Sequence, residues 1–220
     1  VFKVVPNAQI ALNVDTPILL NDEIMTQGDA SITITFIDET VLALGAETQL
    51  IIDEYIFDPN AMENNKAIFS VMKGPFHYVS GLIAKKEKPD VTLNLDFGSI
   101  GIRGTKIWRD MTMTDDGKPQ CRIYVEDGSV RVYNDQGFTT VNNGEGSRIV
   151  GRNNPPTSSK PWGEAAITDI KSKSPVIVTA SSETEQPITP ENKDTSLPPE
   201  IEAPEPPRLE EQSLPESETP

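Results

Sequence analysis

The side chains that most often do chemistry at neutral pH are scarce in this sequence of 220 residues. One histidine, His77, and one cysteine, Cys121, leave few partners for a catalytic Cys–His pair or a soft-metal site. The serine-nucleophile elbow, the phosphate-binding loop, the EF-hand loop and the Cys-x-x-Cys and His-Glu-x-x-His motifs are all absent. Carboxylates are plentiful, but sequence alone places no two of them across a cleft. We therefore expect that the protein is not an enzyme and that it has no catalytic residue, no cofactor and no metal.

The two lone side chains have ordinary structural interpretations. His77 stands between two aromatic residues and faces away from both, which favours a surface or edge-strand imidazole. Cys121 shares a face with Ile123 and Val125, which favours a small buried side chain over a reactive thiol. A single cysteine forms no disulfide within the chain, so the cysteine count does not indicate whether the protein works in an oxidising or a reducing compartment.

The most unusual local segment is 98–105, Gly-Ser-Ile-Gly-Ile-Arg-Gly-Thr. Its three glycines weaken a strand unless the backbone needs a bulge, a positive φ or a close approach. Arg103 lies between apolar positions, where an unpaired charge is costly. These residues favour an arginine tied to backbone carbonyls or to a carboxylate at a sharp turn between β layers. The functional alternative is an exposed arginine that recognises a partner.

Net charge and hydropathy exclude further classes of protein. The chain has 34 Asp or Glu and 19 Lys or Arg, a net charge of −15, which has the wrong sign for binding phosphates. We expect no nucleic-acid partner. The apolar stretches are only a few residues long, far below the roughly 18–20 needed to cross a bilayer, so we expect no membrane span in this chain.

Residues 181–220 differ in composition from the rest of the chain. They contain nine prolines, eleven Asp or Glu, two Lys or Arg and no aromatic residue. Such a segment buries too little apolar surface to offset the entropy of ordering. We expect a disordered acidic Pro-rich tail, which acts either as a solvated spacer or as a docking motif.

The front of the chain reads as a series of strands separated by turns. Residues 30–37 alternate, with Ile32, Ile34 and Phe36 on one face. Turn signals such as Asp127-Gly128 and Asn143-Gly144 recur between such segments. Further strands are predicted at residues 41–44, 49–57, 67–72, 76–79, 91–97, 106–113, 121–126 and 129–133.

This spacing predicts an all-β fold in a single domain at residues 1–152. A β-sandwich and a short β-roll or solenoid give the same rhythm of turns, so both stay open. Residues 153–180 are interpreted as a linker with a short helix or an edge strand docking on the domain. The helix would have Ser159 as its cap, Pro161 in its first turn and Trp162 on the face that packs. The edge strand would lie at residues 175–180.

Six segments in a fixed order make the sequence recognisable. They are residues 22–26 (Asp-Glu-Ile-Met-Thr), 34–41 (Ile-Thr-Phe-Ile-Asp-Glu-Thr-Val), 49–59, 70–81, 100–105 (Ile-Gly-Ile-Arg-Gly-Thr) and 125–132. Together they resemble the FecR-like domain of bacterial envelope proteins across residues 20–150. One departure is that a segment often reading Thr-Pro before the Gly-Ile-Arg-Gly-Thr turn reads Asp96-Phe97 here.

The resemblance implies a periplasmic, β-rich module that receives a signal from an outer-membrane receptor and passes it toward a sigma factor. This chain looks more like the free-standing members of the family, without the membrane helix. The first residue is Val1, and we expect a signal peptide to have been removed. The expected location is the periplasm or outside the cell. The motif residues that we expect to contact a partner are Asp53, Tyr55, Gly74, Tyr78, Gly81, Gly101, Arg103, Gly104 and Thr105.

Two functions are consistent with these observations. The leading hypothesis is a non-enzymatic envelope protein that binds another protein, an outer-membrane receptor or a signalling protein, as a signal-relay or scaffolding module. The alternative is a structural module that binds the cell wall or a glycan, since aromatic side chains on a β face can stack on sugars. The low aromatic content, 6%, weakens the alternative.

Overall fold

Sixteen strands, one α-helix and two short 3-10 helices (Met62–Asn64 and Ile83–Lys85) form the regular structure of residues 1–5, 8–175 and 177, which the computed structural model describes. The tail at 181–220, and all of the expected edge strand except Pro175 and Ile177, lie outside these residues. The strands are β1 (Phe2–Val5), β2 (Ala8–Ala11), β3 (Glu23–Met25), β4 (Ile32–Thr35), β5 (Val41–Leu44), β6 (Thr48–Ile56), β7 (Lys66–Lys73), β8 (Phe76–Val79), β9 (Val91–Leu95), β10 (Gly98–Ile102), β11 (Lys106–Met113), β12 (Pro119–Asp127), β13 (Ser129–Asn134), β14 (Gly137–Asn142), β15 (Glu145–Val150) and β16 (Lys160–Pro161). The helix, α1, spans Glu164–Ser172.

The strands form two sheets. The nine-stranded sheet has the order β14-β13-β10-β9-β7-β6-β3-β1-β2, and the seven-stranded sheet has the order β16-β15-β12-β11-β8-β5-β4. From β4 onward the chain alternates between them, mostly one hairpin at a time. All pairs are antiparallel except β7 with β9. The predicted all-β fold is confirmed, and of the two architectures left open the chain adopts the sandwich.

The core lies between the two sheets, where the inward-facing residues of both meet. Alternation along each strand sends every second side chain into this layer, as β9 shows with Val91, Leu93 and Leu95 buried. Full burial of each such side chain contributes about 1.5–3 kcal/mol, so the alternating pattern is the main source of stability. Phe69, Phe76 and other large core residues are fully shielded from water.

The predicted strand bounds are correct for several strands and less accurate where glycine interrupts the pattern. Strands β5, β8 and β11 have the predicted bounds. The glycine-rich segment forms β10 rather than only a turn, because β9 and β13 flank it on both sides. Gly98 is there for a close approach, since a Cβ at this position would overlap the carbonyl oxygen of Tyr133.

A row of cross-strand neighbours covers the outer face of the seven-stranded sheet. His77, Trp108, Tyr124 and Gly146 lie side by side on β8, β11, β12 and β15. The His77 and Trp108 rings stack with centroids 3.7 Å apart. Trp162 lies over Gly146, which has no side chain, and stacks on Tyr124 at 5.9 Å. Aromatic contacts therefore continue from the sheet into the segment that leads to α1.

Helix α1 docks on this outer face through Ile170 and Ile167 and through a group of charges. Ile170 is fully buried against the aromatic row. Next to it, Arg122 forms ion pairs with Asp110, on the neighbouring strand, and with Asp169 of the helix. Lys173 lies 2.9 Å from Asp110 and 3.0 Å from Asp169, which completes the group. Side chains of the helix and of the sheet together hold α1 on this face.

The start of the helix differs from the prediction. Gly163 is the N-cap, and neither Ser159 nor Pro161 belongs to the helix. Pro161 instead pairs with Glu145 in β16, which keeps the chain extended until Trp162 has reached its site over the sheet. In the part of the chain that the structure describes, no helix has the length and apolar character needed to cross a membrane.

The contact between Trp162 and Gly146 predicts that Gly146→Ala destabilises the domain. A Cβ there would overlap the indole of Trp162, so the ring must move off the sheet. We expect a loss of about 1–3 kcal/mol in the free energy of unfolding, measured with urea. The control is Gly101→Ala, where a Cβ would lie 3.9 Å from the nearest atom, an ordinary contact. Equal stability of the two variants would contradict this account of how Trp162 is seated.

Candidate functional site

The carboxylate of Asp38 is the centre of a buried hydrogen-bond network at one end of the sandwich. Asp38 lies in the turn between β4 and β5 and is fully shielded from water. Its Oδ1 accepts hydrogen bonds from the Tyr55 hydroxyl at 2.7 Å and from the Thr40 backbone N–H at 3.1 Å. Its Oδ2 accepts from the Thr40 hydroxyl at 2.8 Å and from the Ile83 backbone N–H at 3.2 Å. Four donors thus replace the water that this carboxylate loses.

The network continues through the chain segment that follows β8. The backbone of Gly81 passes so close to Asp38 and Thr40 that a Cβ on Gly81 would overlap their backbone atoms. One residue earlier, the Ser80 hydroxyl accepts a hydrogen bond from the Thr105 N–H at 2.8 Å, and the Ser80 N–H donates to the Thr105 carbonyl at 2.9 Å. Turns from both sheets are therefore joined at this end of the sandwich.

Three of the expected partner-contact residues, Tyr55, Gly81 and Thr105, belong to this network. The Tyr55 ring stacks on Phe36 with centroids 5.3 Å apart. Burial, together with the hydrogen bond to Asp38, raises the pKa of Tyr55 above its ordinary value, so the phenol stays a donor. A fourth, Tyr78, is fully buried in the core. Gly81, Thr105 and Tyr78 are thus occupied with internal contacts rather than presented to a partner, and the Tyr55 hydroxyl is bonded to Asp38.

The turn between β10 and β11 carries the remaining part of the motif. Gly104 has a φ of +68°, a left-handed conformation that glycine adopts without strain. A Cβ on Gly128 would overlap the Gly104 carbonyl, so the two turns are in close contact. Arg103, between these fixed residues, is exposed.

Our expectation that Arg103 is tied within the fold is therefore wrong. The sharp turn between the layers is present, but Gly104 and the bonds between Thr105 and Ser80 fix it without the arginine. The guanidinium is left facing solvent, as in the functional alternative.

A buried arginine that the sequence did not indicate ties the other end of the sandwich. Arg109, on β11, is fully buried. Its guanidinium donates to the Gly74 carbonyl at 2.6 Å and to the Asp96 carboxylate at 2.6 Å, and its Nε donates to Cys121 Sγ at 3.3 Å. Asp96 also accepts from the Lys73 N–H at 2.8 Å. The departure from the family pattern at Asp96 thus supplies the counter-charge for Arg109.

Gly74 and Cys121 both serve this second network. A Cβ on Gly74 would overlap the Thr48 hydroxyl and the Ala46 carbonyl, so this expected contact residue is internal as well. Cys121 is fully buried, as predicted. Burial raises the pKa of its thiol, which keeps it protonated and unreactive.

The last two expected contact residues lie apart from both networks. Asp53 is exposed at an irregularity in the pairing of β6 with β7 and accepts a hydrogen bond from the Ser70 hydroxyl at 2.7 Å. Gly101 lies opposite Arg131 on β13, and a Cβ would fit there at 3.9 Å from the nearest atom. The nine residues therefore do not form one surface.

The expectation that His77 is a surface or edge-strand imidazole is wrong. The residue faces away from Phe76 and Tyr78, as the sequence predicts, but β8 lies between β5 and β11 and is not an edge strand. Trp108 covers the imidazole, which is only 5% exposed. Burial lowers the pKa of His77 to about 4, although the carboxylate of Glu126 acts in the opposite direction. The ring is therefore neutral at pH 7.

The key residue that the sequence analysis did not select is Asp38. Its signal was available, because Asp followed two residues later by Thr between two apolar strands is typical of a turn in which the side chain bonds the backbone. The burial of that turn and the arrival of Tyr55 and Ile83 depend on tertiary structure, which the sequence pattern does not give.

The fold and the motif define an all-β module in which the segments that carry the family resemblance hold two sheets together. A family model described as FecR protein matches residues 22–131, half of the chain. The chain belongs to the FecR family, a family of signal-relaying regulators rather than enzymes. Comparison of the sequence with curated proteins finds no match.

Solved structures show the same fold. Two crystal structures of a candidate anti-sigma factor from Parabacteroides distasonis ATCC 8503 are similar to this chain, with TM-scores of 0.50 and 0.51. Sequence identity is 15% in both, and each alignment covers 66% of this chain. The matched part spans 62% of that protein's length, less than two thirds of it.

The Asp38 network predicts a large effect of Asp38→Ala. The substitution leaves the Tyr55 hydroxyl, the Thr40 hydroxyl and the Ile83 N–H buried without their acceptor. We expect the free energy of unfolding to fall by roughly 2–4 kcal/mol in urea denaturation. Asp53→Ala, the control, removes an exposed carboxylate and is expected to change it by about 0.5 kcal/mol or less. An Asp38→Ala protein as stable as the control would exclude a structural role for the network.

The buried imidazole predicts a pH dependence of stability. The unfolded chain binds a proton at His77 near pH 6.5, whereas the folded chain does so only near pH 4. Protons therefore favour the unfolded state in this window, and stability falls as the pH is lowered through it. His77→Phe keeps a ring on Trp108 and should remove this contribution. Urea denaturation of both proteins from pH 7.5 to 4 measures it, and parallel curves would show that His77 is not responsible.

Proposed function

We infer that this chain is a non-enzymatic protein-binding module of the bacterial cell envelope, which relays a signal or holds a signalling partner in place. Its place of action is the periplasm or the outside of the cell. Family membership supports the regulatory part of this proposal. The likeness to an anti-sigma factor, as that protein is described, agrees with it.

The observation that carries the proposal is the exposure of Arg103. Its neighbours in the motif have internal roles: Gly104 makes the turn, and Thr105 is bonded to Ser80. Arg103 is exposed on this braced turn. An arginine held on a rigid turn loses little freedom on binding and can form a bidentate contact with a carboxylate. This is the arrangement expected of a contact residue for a protein partner.

The test is in-cell photo-cross-linking of the full chain followed by recovery of its partner from envelope fractions. The expected result is one main partner, an outer-membrane receptor or a signalling protein, whose yield falls several-fold with Arg103→Glu. The matched control is Arg152→Glu, an exposed arginine in another turn, which should leave the yield unchanged. Unfolding in urea confirms that both variants are folded.

Two results would count against the proposal. If both substitutions lowered the yield of partner equally, the effect would come from overall charge and not from a specific contact of Arg103. Recovery of peptidoglycan fragments alone would favour the glycan-binding alternative.

A further inference from the structure

An open apolar groove of about 870 Å³ lies beside β4, between this strand and the loop that follows β2. Large side chains on its walls face solvent: Val14 is 92% exposed, Leu19 60%, Leu20 53% and Ile37 76%. Exposed apolar side chains gathered around one groove are typical of a binding surface. Tyr55 also lines the groove, so one wall is anchored to the Asp38 network.

The strand beside the groove is an open sheet edge. β4 is the terminal strand of the seven-stranded sheet, with β5 as its partner in the described structure. The Phe36 N–H donates to the Thr40 carbonyl, and the antiparallel register continues through Ile34 opposite Leu42. Hydrogen-bonded pairs alternate in such a ladder, so Thr33 and Thr35 direct their backbone N–H and C=O groups outward. An added strand can pair with them.

The charge of this region selects the partner. Residues 4–65 contain eleven Asp or Glu and no Lys or Arg. Three exposed carboxylates belong to the groove or flank its edge strand: Asp15 lines it, Asp29 precedes β4 and Glu39 follows β4. A strand that pairs with β4 therefore enters a field of negative charge.

We propose that β4 and the apolar groove beside it bind an extended segment of another protein in which apolar residues alternate with Lys or Arg. Its backbone pairs with Thr33 and Thr35, its apolar side chains enter the groove, and its cations face the acidic rim. The proposal rests on the protein-binding function inferred above and names the chemistry of the partner. It assigns a second contact, separate from Arg103.

The same charges argue against two other occupants. Residues 178–220 of this chain have eleven acidic and two basic residues, so they are repelled by the groove. A second copy pairing antiparallel through β4 would bring Asp29 of one molecule toward Glu39 of the other. Like charges facing each other across paired strands are destabilising.

The direct test measures binding of a fluorescein-labelled peptide, Lys-Val-Lys-Val-Lys-Val-Lys, to the full chain by fluorescence anisotropy. Saturable binding is expected, with slower hydrogen exchange at the amides of Thr33 and Thr35 in NMR spectra. The peptide with Glu in place of Lys should not bind. The Lys peptide with its central Val replaced by Pro keeps the charge but pairs poorly as a strand, and should bind about tenfold more weakly.

Variants of the chain separate backbone pairing from charge. Thr33→Pro removes an outward N–H without removing a bond to β5, and should weaken binding about tenfold. Thr33→Val keeps that N–H and is the matched control, expected to bind as the unaltered chain does. The double variant Leu19→Ser/Leu20→Ser should also weaken binding about tenfold, through loss of the apolar wall.

Several outcomes would overturn the proposal. Equal binding by Thr33→Pro and Thr33→Val would exclude pairing at β4. A dimer in analytical ultracentrifugation that Thr33→Pro dissociates would assign the edge to a second copy. Binding to phosphatidylcholine vesicles that needs Leu19 and Leu20 but not the Thr33 N–H would assign the groove to lipid. If the Lys peptide does not bind while the yield of cross-linked partner still depends on Arg103, the groove proposal is wrong and the proposed function is retained.

Discussion

The carboxylate of Asp38 lies where the two sheets must be joined, and it is fully shielded from solvent. Its oxygens accept from the turn that contains it, from Tyr55 of the nine-stranded sheet and from Ile83 after β8. Through Ser80 the same assembly reaches Thr105, where the chain crosses back between the sheets. At the opposite end the guanidinium of Arg109 joins the sheets in the same way, by donating to the Asp96 carboxylate and the Gly74 carbonyl. A charge at each end, rather than in the middle, leaves the core itself apolar.

This arrangement changes the meaning of the segments by which the family is recognised. Gly81 lies against Asp38, Tyr55 donates to it, and Gly104 forms the turn that precedes Thr105. These residues have close-contact or conformational requirements that few substitutions satisfy, so their pattern describes how the sandwich is closed. Residues that the sandwich presents to solvent, such as Arg103, are then the ones available for contacts with other molecules. A segment can therefore identify the fold strongly and still say little about the partner.

The strands were predictable from alternation, because inward and outward positions differ in polarity on most of them. β4 and β9 illustrate this, and the shared face of Phe76 and Tyr78 agrees with the prediction as well. Strand order is not predictable from alternation, and the prediction for His77 is wrong for that reason: its face is right, but the sequence does not show that β8 lies inside the sheet. The prediction for Arg103 is wrong for a related reason, since no sequence pattern shows that Gly104 and the bonds between Thr105 and Ser80 fix its turn. Asp38 and Arg109 were missed because burial of a charge is decided by partners distant in sequence.

The alternation of hairpins between the sheets bears on the order in which the protein folds. Hairpins such as β6–β7 and β13–β14 join neighbouring segments, so each closes at a small entropic cost soon after its residues are available. The bond from Ile83 to Asp38 joins residues 45 apart and cannot form until β8 is in place. Until then the Asp38 carboxylate is open to water, and the hairpin of β4 and β5 lacks this tie to the segment after β8. Closure of this end therefore joins hairpins that can form separately into one cooperative unit.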